Sequence, residues 1–298
     1  MMKHPAPANP APPAPEFPWP QGKRCALFPA FDVDAESVWL GGDPANADRH
    51  VTLSYGGYEA RVGIPKILEL LARHEVRATF FVTGWAVEAH IRSCEAILAA
   101  GHEIAHHGYL HLKPDAERFD VMIEEIDRGL DAMRRVLGIT PVGYRAPWGE
   151  SFPALLQLLV DRGIRYSSSW RDDIRPYRHV LPGGPGPVEI PVNYSFDDWS
   201  YGLTHRSSPR ALFGREAVLA IWRDEFDQTR EWGGVTTMVM HPQVTGRPMR
   251  IRILDDFLTH IRTYDDVWIA TGREIMEHYE ACEAGAGDTA RVSRPLSE

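Results

Sequence analysis

From Cys25 to Ala270 the chain repeats one pattern: a short apolar, β-rich run, then an amphipathic stretch of helical period. The β-rich runs are CALFPAFDV (25–33), RATFFV (77–82), 102–106, 142–145, 164–169, VTTMVM (235–240) and 267–270. Helical spacing fills 63–73, 85–100, 116–137, 153–162, 209–232 and 251–262, and Gly101, Gly138 and Gly163 stand where three of these must stop. Strand–helix alternation sustained over this length requires parallel strands joined by helical crossovers. The expected fold is therefore α/β: a distorted TIM-like (β/α) barrel of about seven parallel strands, with a doubly wound open sheet as the alternative. The segment from about Ser169 to Pro209, which holds Pro182, Gly183, Gly184, Pro185, Gly186 and Pro187, breaks the alternation and reads as an inserted loop region that shapes a site.

Flanking stretches differ in character. Residues 1–20 form a Pro/Ala-rich segment with polyproline-II character, expected to be a disordered tail, and 285–298 a second one. Residues 21–284 are expected to be a single catalytic domain. Prolines interrupt the N-terminal stretch too often for the apolar core of a secretory signal, and no apolar run of about 18 residues follows. The expected location is the cytoplasm, with no membrane partner. Cys25, Cys94 and Cys282 are odd in number and far apart, which argues against a disulfide framework or a zinc–cysteine site. The net charge of −9 comes with no basic stripe, which argues against nucleic-acid binding.

The chemistry lies where the strands end. Asp32 and Asp34 close the first β-run, His107 and His111 follow the third, Arg145 closes the next, and His241 follows VTTMVM. In parallel β/α architectures the ligand site gathers at the carboxyl ends of the strands. Asp32 and Asp34 point the same way on leaving a strand, and a cation or an arginine relieves their repulsion. One carboxylate on a metal and one free as a base is the natural division, although an isolated D-x-D is more often a turn or a helix cap. His107-Gly-Tyr-Leu-His111 can deliver two nitrogens to one cation if the backbone curls. With a carboxylate, they make a two-His, one-carboxylate site with open positions for water and substrate. Two surface histidines are the competing explanation. Arg145 can pair with the free aspartate, and His241 can protonate a leaving amine. Trp148, and with it Trp170, can wall a pocket.

One motif is a decoy. His102-Glu-Ile-Ala-His106 spells the H-E-x-x-H of zinc proteases, which works only on a continuous helix. Gly101 and Gly108 bracket it too closely for a helix. In a strand, its two histidines lie about 13 Å apart and cannot share one metal.

The series FDVDAES, GHEIAHHGYLH, GYRAPWG and MVMHPQVTGRP resembles the polysaccharide deacetylase family, carbohydrate esterase family 4, across roughly Lys23 to Tyr279 and in the family's order. The resemblance implies Asp32 as catalytic base, Asp34, His107 and His111 as metal ligands, Arg145 as the residue orienting the base, and His241 as general acid. HGYLH, APWG, VEIPVNYSFDD and HPQVTGRP are more similar to a cytoplasmic branch, single-domain peptidoglycan deacetylase-like proteins and cyclic imide hydrolases, whose members are often homotetramers. Tyr109, Pro147 and Trp148 are the substrate-contact candidates within those motifs. The sequence departs from extracellular members at Gly108, where they carry Ser or Thr, and at Trp148, where they carry Tyr or Phe. Allantoinase-like relatives lack the metal aspartate, whereas Asp34 is present here. The expectation is a metal-dependent hydrolase of non-peptide C–N bonds, with a divalent metal, zinc first. Its substrate is expected to be a small amide or cyclic imide ahead of an N-acetyl sugar, and a catalytically dead binding protein on the same fold ranks further behind.

Overall fold

The structure is a computed structural model that describes residues 17–205, 209–285 and 293–295. Strands β1 (Cys25–Phe28) and β2 (Ala30–Val33) form one extended run interrupted at Pro29. Their side chains alternate between two environments, as the period of two requires. Ala26, Phe28 and Ala30 face the barrel interior with Phe81, Ala105, Tyr166 and Val188. Leu27, Phe31 and Val33 face the helical layer with Phe80, Val82, Ile104 and Phe257. The inward set, continued by twos, places Asp32 and then Asp34 at the mouth.

β2 pairs in parallel with β3 (Thr79–Val82), which pairs with β4 (Glu103–His106), and the order continues through β5 (Gly143–Tyr144) and β6 (Tyr166–Ser167). β7 (Tyr177–Leu181) and β8 (Gly184–Glu189) complete that side, with β8 parallel to β6 and antiparallel to β7. On the other side β1 lies between β9 (Val235–Thr237) and β10 (Val267–Ile269), both parallel to it. Single bridges from Phe31 to Met240 and from Asp197 to Val239 carry the pairing around. Helices such as Ile64–Arg73, Phe119–Ala132 and Pro248–Ile261 cover the outside. This is the expected distorted (β/α) barrel.

The segment expected to be an inserted loop instead contains the hairpin β7–β8. Its prolines fit because the register shifts between Arg178 and Val180, so Pro185 and Pro187 sit at an irregularity that tolerates a missing N–H. Arg178 donates to the Gly186 carbonyl at 2.9 Å, and a Cβ on Gly186 would lie 2.9 Å from the His179 Cβ. Val188 then joins the barrel interior. The expectation for residues 1–20 also needs correction. Phe17 packs against Trp19 and Tyr279, and the Trp19 indole donates to the Gly233 carbonyl at 2.9 Å, so residues 17–20 belong to the folded body. Residues 1–16 lie outside the described residues. Of the expected C-terminal tail, 286–292 and 296–298 lie outside them as well, while a short strand β11 (Ser293–Pro295) runs parallel to β7. Among the described residues, no helix is long and apolar enough to cross a membrane.

Candidate active site

Asp34 is fully buried at the end of the β2 run, and among the described residues neither of its carboxylate oxygens has a hydrogen-bond partner. Its Oδ1 lies 3.4 Å from His107 Nε2 and 3.6 Å from His111 Nε2. All three ligand atoms fall within 4.8 Å of one another. A buried carboxylate with two orphaned oxygens is expensive unless a cation satisfies it. One carboxylate and two imidazoles are a donor set that fits a divalent cation and leaves positions open. His107 Nδ1 bonds the Arg145 carbonyl at 2.7 Å, which turns Nε2 toward Asp34. Burial works to raise the Asp34 pKa, but His111, His107 and His241 outweigh it and hold it well below the usual carboxylate range. Burial pushes His111 down to about 4 against the pull of Asp34, so its imidazole is neutral and ready to bind a metal.

Two charged pairs flank the triad. Asp32 accepts from Arg145 Nη1 at 2.7 Å, and both are buried. Arg145 is fixed in turn by Ser168, through its carbonyl and its Oγ at 3.0 Å each, and by the Phe81 ring 4.2 Å away. Opposite, His241 Nδ1 bonds Asp198 Oδ1 at 2.7 Å, which leaves Nε2 facing the site, 4.0 Å from Asp34 Oδ2. Burial disfavours the imidazolium of His241, yet Asp198, with help from Asp34 and Asp197, raises its pKa well above 6.5. Trp199 packs edge-on to the His241 ring at 5.0 Å.

These groups line a cavity of about 280 Å³ together with Trp148, Ser168, Asn193, Tyr194 and Asp197. The segment after β8 thus walls the site, as expected of the Ser169–Pro209 region. The structure brings together Asp32, Asp34, His107, His111, Arg145, His241 and Trp148. Tyr109 and Pro147 it places elsewhere. The Tyr109 hydroxyl donates to Glu88 at 2.8 Å, and Arg128 stacks on the ring at 3.7 Å, so the side chain points away from the cavity. Pro147 is buried, its Cγ 3.4 Å from where a Cβ on Gly108 would lie, and it does not line the cavity. Trp170 turns to His179 instead, at 5.2 Å. The zinc-protease reading fails as expected. His102 accepts from the Ala78 N–H at the start of β4, and His106 is buried against Tyr144 at the other end.

The backbone around the metal candidates is unusual. Ala35, His111 and Trp148 all have positive φ (50°, 58° and 60°), a conformation that residues with a side chain rarely adopt. Each is held. Glu59, fully buried, accepts from the Ala35 N–H at 2.8 Å. Glu125 accepts from the N–H groups of Tyr109 and Leu110, at 3.1 and 2.9 Å, and fixes the loop between the histidines. The Trp148 indole donates to the His111 carbonyl at 3.2 Å. Glu59, Glu125 and Asp198 were missed as functional residues at the sequence level. Glu125 had a signal, an acid on the apolar face of its helix among Met122, Ile126 and Gly129. Asp198 had a weaker one, the acidic pair after VEIPVNYSF. Glu59 had none.

The polysaccharide deacetylase family model matches residues 45–167, a stretch that includes His107, His111 and Arg145. A peptidoglycan deacetylase of Helicobacter pylori is 28% identical over 86% of this chain and 97% of its own length. The crystal structure of a Mycobacterium smegmatis protein assigned to the polysaccharide deacetylases is 36% identical and superposes with a TM-score of 0.90, covering 96% of this chain and 98% of that one. A solved allantoinase shares the fold at a TM-score of 0.79 and 22% identity, over 91% of this chain and 95% of its own. With 36% identity to the Mycobacterium smegmatis protein over nearly the whole of both chains, the chain belongs to the polysaccharide deacetylase family.

Proposed function

We propose that this protein is a zinc-dependent hydrolase of a small amide or cyclic imide. The observation that carries the reading is the buried Asp34 carboxylate, unpartnered, facing two imidazoles between an acid–base pair on either side. Asp34, His107 and His111 would hold the ion. When bound, such a cation supplies Lewis acidity, lowering the pKa of water and polarising the carbonyl to be attacked. Asp32, oriented by Arg145, accepts the proton of the attacking water. A C–O bond forms at the carbonyl carbon as the C–N bond breaks. His241, kept protonated by Asp198, gives its proton to the departing nitrogen. Trp148 forms part of the wall against which the substrate packs. A cavity of about 280 Å³ is near the lower end of small-molecule sites, which supports a compact substrate over a polymer. A cytoplasmic location and assembly into a homotetramer belong to the same reading.

N-deacetylation of an amino sugar is the second reading, favoured by the similarity to the Helicobacter pylori deacetylase. The deciding experiment measures metal content of wild type, His107→Ala and Asp34→Asn, together with hydrolysis of succinimide and of N-acetylglucosamine. Loss of one zinc per chain and of activity in both variants supports the triad, and the substrate consumed separates the two readings. Metal retained in both variants, or hydrolysis that survives chelation, refutes the assignment.

A further inference from the structure

The cavity is lined by three arginines, and only one has a charged partner. Arg145 is committed to Asp32 and Ser168. Arg171 and Arg210 stand in the wall near the mouth, both exposed, and among the described residues neither has a carboxylate within ion-pair distance. Arg135, Arg162, Arg165, Arg215 and Arg230 each find an acid.

Arg171 is seated rather than loose. Its Nη1 donates to the Gly149 carbonyl at 3.0 Å, and its guanidinium lies 4.1 Å over the Tyr194 ring. A Cβ on Gly149 would come within 2.2 Å of Arg171 Nη2, so the glycine makes room for the charge. Arg210 Nη1 reaches the Trp199 carbonyl at 3.3 Å, and its backbone N–H is held by Thr204 Oγ1. Each fork is thus anchored to a backbone oxygen, and among the described residues its other N–H groups have no hydrogen-bond partner. The cavity's own acids are already engaged. Asp32 meets Arg145, Asp34 faces the two histidines, and Asp197 accepts from the Trp199 N–H at 2.9 Å.

We infer that the substrate carries a carboxylate, bound at the cavity mouth by Arg171 and Arg210 while its amide or imide carbonyl faces the Asp34 triad. The inference rests on the hydrolase reading above and deepens it by naming the substrate's charge. Guanidinium forks match carboxylates bidentately, whereas a neutral amide leaves both cations to water. Both cations line the cavity that holds the Asp34 triad, so an anion drawn to them is drawn to the site itself.

The test compares succinimide with 2,5-dioxopyrrolidine-3-carboxylate, and N-acetylglucosamine with N-acetylmuramic acid, in wild type, R171Q, R210Q and the double variant. The ratio of kcat/KM for the charged over the neutral member should exceed one in wild type and fall about tenfold or more in the double variant. Raising ionic strength should erode it, because both side chains are exposed. A wild-type ratio at or below one, or a ratio the variants leave unmoved, overturns the inference. Calorimetric binding of succinate and succinamide to the metal-loaded protein separates the inference from the hydrolase reading. If no substrate turns over but succinate affinity falls in the double variant, the reaction is wrong and the carboxylate site stands. If succinate binds no better than succinamide, or inorganic phosphate binds as tightly as succinate, the carboxylate assignment fails.

Discussion

Replacing Asp198 by Asn isolates the proton-donating half of the site. Asp198 Oδ1 accepts from His241 Nδ1, and Oδ2 accepts from the Thr245 N–H at 3.1 Å and from the Thr245 hydroxyl. An amide keeps the shape but only one acceptor oxygen. If that oxygen stays on His241, the new NH₂ meets the Thr245 N–H, and a buried donor goes unsatisfied at about 1–3 kcal/mol. The imidazole also loses the negative charge that outweighs its burial. The general acid is then deprotonated through neutral pH, and kcat should fall by about 10²–10⁴. In wild type the rate should decline at alkaline pH, as His241 deprotonates. In Asp198→Asn this limb should move to lower pH. Stability responds with a defined sign. A histidine whose folded pKa is raised stabilises the fold fully below its unfolded value, about 6.5, and loses that contribution as pH rises through the folded value. The variant's penalty in denaturant midpoint should therefore be largest below pH about 6.5 and shrink on the alkaline side. Metal content should be retained, since Asp198 is outside the Asp34–His107–His111 triad. A kcat within threefold of wild type, with the alkaline limb unmoved, refutes the role given to His241 and Asp198 (roughly, a loss too small for general acid catalysis).

Further outcomes follow from the supporting groups. Glu125→Ala strips the acceptor from the Tyr109 and Leu110 N–H groups and should cost about 2–4 kcal/mol in chemical denaturation, with weaker metal retention on dialysis. Gly129→Ala gains about 1 kcal/mol of helix propensity, but its Cβ would lie 2.2 Å from His106 Cε1 and 2.7 Å from the Gly108 carbonyl oxygen. Overpacking of about 1–3 kcal/mol should win, lowering Tm and displacing the loop that bears His107 and His111. Arg145→Ala leaves a buried Asp32 carboxylate without its cation, and a loss of about 3–5 kcal/mol in unfolding free energy is expected alongside loss of turnover. Chelation of the metal should abolish hydrolysis and lower Tm, and restoring one equivalent of zinc should return both.

The parts of this site legible in the sequence are those tied to strand ends. Asp32 and Asp34 continue an inward-facing series set by Ala26, Phe28 and Ala30, and a period of two is visible in any sequence. His107, His111, Arg145 and His241 follow from the same geometry. Tyr109 was misread because proximity to a ligand histidine says nothing about which way a loop residue points. Here Gly108, at φ 74°, turns the chain so that the tyrosine ring falls against Arg128 instead. The 182–187 run was misread because Gly and Pro normally punctuate strands. Only the slipped register of β7 against β8 lets them occupy one. Glu59 was invisible because its partner, the Ala35 N–H, is 24 residues away and belongs to the backbone.

Strain and support are distributed in a consistent way around the triad. Three side-chain-bearing residues hold positive φ beside it, and such conformations cost of order 1–3 kcal/mol each. They persist because the buried carboxylates Glu59 and Glu125 bind the adjacent N–H groups, and because glycines clear the space behind them. A Cβ on Gly56 would lie 2.3 Å from the Ala35 carbonyl carbon, and one on Gly41 would lie 2.1 Å from the Leu110 oxygen. Of the candidate ligand side chains only His107 joins this scaffolding, through Nδ1 to the Arg145 carbonyl, while among the described residues the Asp34 carboxylate and His111 Nδ1 have no hydrogen-bond partner. Much of the rigidity is therefore supplied from behind, by Glu59, Glu125 and the glycines, which do not line the cavity. It follows that substitutions at Glu59 or Gly56 should impair metal binding as severely as substitutions of the ligands, while leaving the Asp32–Arg145 pair, anchored separately on Ser168, in place.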